Sequence, residues 1–212
     1  MCKIEIRKSN LDAAYKVADE NGKRLLDALF GKAKGTPNLD DYRSIKTYED
    51  ACEALGVRPI PAGEELLLAA YDNMDDFCVM PGHLIALVKL ETISRALWGR
   101  DFEPKPQAEW DGKTWYWYPY FRFYSKSEVD VIKKDPSDYP GIAALFGGAA
   151  YYGSIAGFGY LYTNDRPAGT IAYIGFRLCQ ETKEKARYFA ATFADLWLEY
   201  LGEGFEAKER II

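Results

Sequence analysis

Residues Trp115 to Tyr124 read WYWYPYFRFY, and with Trp110 upstream nine of the fifteen residues from Trp110 to Tyr124 are aromatic. In a half-buried strand successive side chains point to opposite faces. One face then carries Trp115, Trp117, Pro119, Phe121 and Phe123, which suits a core. The other carries Tyr116, Tyr118, Tyr120, Arg122 and Tyr124, a row of phenols around one guanidinium. This second face is either another packing surface, with hydroxyls reaching water, or a recognition surface. No catalytic or metal-binding motif stands beside it.

The rest of the chain can supply a core for such a strand. Its 212 residues suit one domain over 1–212, with 1–40 as an N-terminal helical extension. Hydrophobic residues make up 48% and charged residues 28%, a globular rather than a disordered balance. Lys and Arg number 27 against 32 Asp and Glu, so the net charge of −5 argues against bulk electrostatic binding to nucleic acid. Cys2, Cys52, Cys78 and Cys179 form no C-x-x-C pair and share one histidine, His83, so neither a zinc site nor any other metal or cofactor is expected. They read as free thiols in a reducing compartment, with Cys52 and Cys179 as small buried residues. MCKIEIRKSN lacks the apolar core of a signal peptide, and charges break every apolar stretch before it could span a bilayer. The expectation is a cytoplasmic protein without a membrane segment.

The pattern along the chain divides into helices first and strands later. Lys3–Arg7 alternates like an edge strand. Ser9 or Asn10 can cap a helix to about Phe30, interrupted at Asn21-Gly22. GKAKGTPNLDD, from Gly31, reads as a loop. Thr47 caps YEDACEAL, with Glu49 and Asp50 at its positive end and Gly56 closing it. A helix is expected over Glu64–Tyr71, and another over His83–Trp98 with Ala86, Leu90, Ile93 and Leu97 on one face. Asp111-Gly112 then signals a two-residue hairpin whose second strand is the aromatic run. Ser125–Pro140 reads as irregular with at most one helical turn. Strands are expected at Ile155–Thr163 and Thr170–Cys179. Thr182 caps a long amphipathic helix bearing Ala186, Phe189, Ala190, Phe193, Trp197, Tyr200 and Leu201. The order predicts an α+β fold: N-terminal helices, an antiparallel sheet of about four strands in hairpins, and a long C-terminal helix packed on the sheet.

Five blocks follow one another in this chain: ADENGKRLLDALFG, SIKTYEDACEALG, VKLETISRALW, WYWYPYF and IGFRLCQETKEKARYFAATFADLW. In that order they resemble a family of uncharacterised proteins common in Bacteroidetes genomes, many in phage-like or mobile regions. The resemblance runs from about Ala14 to Leu201. It implies a compact single domain and a phage or prophage setting, and it carries over no reaction, cofactor or catalytic residue.

Candidate chemistry is sparse. Histidine is a common general base, but no motif ties a nucleophile to His83, so a small hydrolase-like enzyme around it is the third reading. Asp72, Asp75 and Asp76 lack the alternate spacing and glycine turn of a calcium loop. LFGGAAYYGSIAGFG has neither G-K-[ST] nor G-x-G-x-x-G, so it reads as a close-packed or mobile loop, with Tyr151 and Tyr152 extending the aromatic surface. The leading expectation is a non-enzymatic binding or protein-interaction module using Tyr116, Tyr118, Tyr120 and Arg122, with no catalytic residue. A single-stranded nucleic-acid binder using the same aromatics comes second, because the charge favours a protein partner.

Overall fold

The computed structural model describes residues 8–30, 37–60, 67–68, 78–79, 82–105, 107, 109, 111–150, 153–167 and 176–212. They fall into two compact units, Met1–Thr36 and Pro37–Ile212. The first holds α1 (Lys8–Val17) and α2 (Glu20–Phe30). The break lies before Asn21-Gly22 rather than at it. The Asp19 carboxylate accepts from the Gly22 N–H at 2.7 Å and so starts α2 as an N-cap would. The expected strand at Lys3–Arg7, the acidic cluster at Asp72, Asp75 and Asp76, and Tyr151 and Tyr152 lie outside the described residues.

The second unit is α+β, with an antiparallel four-stranded sheet. Its helical part begins at α3 (Tyr48–Leu55), capped reciprocally by Thr47 and Asp50 and closed by Gly56 at φ 67°. Gly56 holds the left-handed conformation that costs glycine least. Of the helix expected over Glu64–Tyr71 only 67–68 are described, and Leu67–Leu68 is a strand, β1, paired with β2 (Cys78–Val79). Two adjacent leucines fit either period, so the tertiary pairing decides. In α4 (Gly82–Trp98) Ala86, Leu90, Ile93 and Leu97 are all fully buried. Leu90, Ile93 and Leu97 pack in one cluster with Ile45, Ala51 and Cys52 and with Phe189, Phe193 and Trp197.

The sheet is built from β3 (Trp115–Ser125), β4 (Leu145–Ala150), β5 (Ile155–Pro167) and β6 (Phe205–Arg210), in the order β3-β5-β4-β6. Only β4 and β5 form a short-looped hairpin. The Asp111-Gly112 turn does form, with Gly112 at φ 75° and the Asp111 carboxylate accepting from Lys113 and Thr114 N–H. Yet among the described residues no strand leads into the turn, and β3 pairs with β5. Residues 176–178, within the expected strand Thr170–Cys179, form a 3-10 turn, and 170–175 lie outside the described residues.

Two helices, α6 (Lys183–Thr192) and α7 (Ala194–Leu201), take the place of one long C-terminal helix. Thr182 caps the first as expected, accepting from Lys185 N–H. Phe193 leaves the helical region (φ −112°, ψ 29°) and buries its ring beside Phe189 and Tyr188. The described chain then returns to the sheet as β6, in which only Phe205 is buried. Ala190 and Ala194 from these helices close over Phe158, Tyr160 and Phe205 of the sheet.

The segment after β3 folds into α5 (Lys126–Lys134), more than two turns where one at most was expected. It covers the opposite sheet face, placing Val129 and Ile132 against Tyr124 and Leu145. Gly157 makes this approach feasible, since a Cβ there would stand 2.6 Å from Val129 Cγ2. Gly147, Gly148, Gly157 and Gly159 of LFGGAAYYGSIAGFG therefore serve close packing within strands, and Gly153 (φ 76°) serves the turn between them, rather than a phosphate loop.

Candidate binding cleft

The burial of β3 reverses part of the face assignment. Tyr116 and Tyr118 are 4% and 6% exposed, and Tyr124 is buried with them, whereas Trp115 and Phe123 are 39% and 37% exposed. Phe121 does turn into the core as expected, stacking on Trp197 at 5.1 Å and on Phe158 at 5.6 Å. Helices α6 and α7 cover only the middle of the Trp/Phe face. The tyrosine face is covered at both ends by separate pieces of chain.

One cover is built from Phe102, Phe176 and Cys179, which enclose Tyr116 and Tyr118. It is pinned to the edge of β3 by Gln180, whose backbone exchanges two hydrogen bonds with Trp117 at 2.8 and 2.9 Å. The fully buried Gln180 side chain donates to Ser94 Oγ, and Trp98 Nε1–H donates to the Cys179 carbonyl at 2.7 Å. Tyr116 tolerates burial because its hydroxyl both donates to the Lys105 carbonyl and accepts from the Lys105 N–H at 2.8 Å. Desolvation raises the Tyr118 hydroxyl well above the usual phenol range, with the neighbouring Cys179 adding to the shift. The same burial pushes the Cys179 thiol up to about 12, which makes it a packing group rather than a nucleophile.

The other cover is α5. Between the two covers the middle of the face stays open, with Tyr120 and Arg122 half-buried. Tyr120 stacks on the cross-strand Tyr162 at 5.0 Å, and Tyr162 is 44% exposed. Here the register slips: Tyr120 faces Tyr162 but Phe121 faces Tyr160, so Leu161 is an extra residue in β5. The bulge brings Leu161 to the wall of a cleft of about 520 Å³ between this face and α5. That volume suits a small ligand or a large side chain. Val131, Ile132, Tyr139 and Ile142 supply further apolar wall.

The rim is polar. Arg122 Nη2 donates to Glu128 Oε1, and its guanidinium lies 4.5 Å from the centre of the Tyr124 ring. Glu128 is held independently, accepting from Ser125 N–H and Oγ at 2.9 Å in the capping box that starts α5. These Ser125 hydrogen bonds, then Arg122, hold the Glu128 carboxyl below its usual range. The rim is thus set by the helix start and does not depend on a bound ligand.

Of the four residues singled out in the sequence, Arg122 lines this cleft and Tyr120 lies two positions before it on the same face. Tyr116 and Tyr118 are core. Leu161, Tyr162 and the α5 residues were not anticipated: the bulge leaves no local pattern, and the capping box of Ser125 and Glu128 that starts α5 was the one signal that could have found the helix. His83 lies apart, exposed in a cleft of about 270 Å³ with Glu199, Tyr200 and Glu203. Among the described residues neither a serine nor a cysteine lines that cleft. Among the described residues no cluster of His, Cys, Asp and Glu could hold a metal ion, and no helix is long and apolar enough to cross a membrane. No family model, curated protein or solved structure matches the chain.

Proposed function

We propose that this protein is a non-catalytic protein-interaction module that seats an apolar side chain of a partner in the cleft between α5 and the tyrosine face. The observation that carries this reading is the cleft itself: apolar walls from Leu161, Val131, Ile132 and Ile142 under a polar rim of Arg122 and Glu128. A pocket of that make-up rewards insertion of one large anchor, and Tyr and Arg at its edge are the residue types that dominate interface hot spots. The setting proposed is the cytoplasm of a cell carrying a phage or mobile element, on the strength of the five sequence blocks and the buried free thiols of Cys52 and Cys179.

Panning a displayed peptide library on the immobilised full chain tests the reading. Enriched peptides are expected to share an aromatic or aliphatic position and to lose at least tenfold in affinity on Leu161→Asp or Val131→Asp. Val131 is 49% exposed, so its variant leaves the core intact. Peptides that bind wild type and both variants equally, or no enrichment at all, would contradict the proposal.

A further inference from the structure

We infer that the partner segment is acidic, an extended peptide whose apolar anchor enters the cleft while its carboxylates meet Arg122 and Arg166. This rests on the proposed function and specifies the chemistry of its partner. The open middle of the tyrosine face carries two guanidiniums on a chain whose net charge is −5. Arg166 faces the same way as Tyr116, its partner across β3 and β5, and its guanidinium lies 5.7 Å from the centre of the Tyr120 ring. Its Nη1 donates to the Asp165 carbonyl, and among the described residues no carboxylate pairs with it. Arg122 uses Nε on the Phe123 carbonyl and Nη2 on Glu128, which leaves Nη1 for another acceptor. Among the described residues Glu128 is the one carboxylate in the cleft lining, and it is already committed to Ser125 and Arg122.

The two guanidiniums lie over Tyr120 and Tyr124, four residues apart on β3, a span of about 13 Å at strand rise. Leu161 and the cleft mouth lie between and beside them. An extended peptide lying along β3 can therefore place a carboxylate at each end of this stretch with an apolar side chain entering the cleft. An arginine drawn to within about 6 Å of a phenol ring is partly pre-oriented, so less freedom is lost when a carboxylate accepts from it. A basic strip on an acidic molecule also steers an acidic partner to this face and repels one whose charge matches the strip.

Three synthetic peptides with one central tryptophan, flanked by glutamates, serines or lysines, test the inference by fluorescence polarisation on the full chain. The expected order of affinity is glutamate, then serine, then lysine. Arg166→Gln and Arg122→Gln should each weaken the glutamate peptide about two- to fivefold, the range for part-exposed ion pairs. Added salt should weaken it further, and Arg166→Lys should restore most of the loss. Equal affinities that still fall on Leu161→Asp would overturn the acidic partner while leaving the anchor reading standing. Preference for the lysine peptide, or no binding by any of the three at millimolar concentration, would also overturn it. Tighter binding of an oligothymidylate with the same arginine dependence would overturn it in favour of single-stranded nucleic acid, which stacks on aromatics beside arginine.

Discussion

Trp197 shows how single residues hold this molecule. Its ring is 2% exposed and meets Phe121 at 5.1 Å and Phe189 at 5.0 Å, joining the helical core to the sheet. Truncation to alanine should therefore cost about 3–5 kcal/mol. Among the described residues, however, its buried Nε1–H finds no acceptor. Phenylalanine keeps the ring packing and removes that orphaned donor, so Trp197→Phe should lose far less stability than Trp197→Ala. Urea denaturation of the two variants checks this, and equal losses would contradict it. Burial of Trp197 and of the α4 stripe was readable from helical spacing alone. Burial of Tyr116 over Trp115 was not. Both faces of β3 are rich in rings, and the choice between them is made by Phe102, Phe176 and Cys179, which reach the strand only through tertiary structure.

At the scale of elements, local chemistry was legible where a cap or a period announced it. Thr47 and Gly56 bound α3, Thr182 starts α6, and the Ile155 strand lies where alternation placed it. Elsewhere a cap without a clear apolar period, or a period broken by tertiary contacts, was missed or misjudged. KSEVDVIKK offers only Val129 and Ile132 as buried residues, yet Ser125 and Glu128 form a full capping box that starts the helix. LFGGAA pairs through its backbone and has too few side chains to show alternation. Phe193 splits an unbroken apolar stripe, leaving the helical region with its ring buried in the helical core. The α5 cap also makes a pH prediction. The folded Glu128 carboxyl titrates below its ordinary value, so its contribution is full above the usual carboxylate range, near about 4.3, and is lost as pH falls through the lower folded value. Glu128→Gln should accordingly destabilise the protein near neutral pH and much less at about pH 3, as read from urea midpoints. A gap between variant and wild type that widens in acid would contradict this account of the cap.

Over the unit from Pro37 to Ile212, helices α3 and α4 pack on α6 and α7, these pack on one face of the sheet, and α5 packs on the other. This layering explains why a strand with rings on both faces is useful: β3, like β5 beside it, meets covers from both sides. The aromatic run is thus mainly structural. Its tyrosine face escapes full cover only around Tyr120, Arg122 and Leu161, where the β5 bulge and α5 leave the cleft open. The α+β class and the antiparallel sheet could be anticipated from element order, whereas the strand order β3-β5-β4-β6 depends on pairings between distant segments. The cleft is the central claim, and methyl NMR during titration with a library-selected peptide tests it most directly. Shifts confined to the Leu161, Val131, Ile132 and Ile142 methyls are the predicted result. Shifts that spare these four and gather instead around the helical core, or around His83, would contradict it.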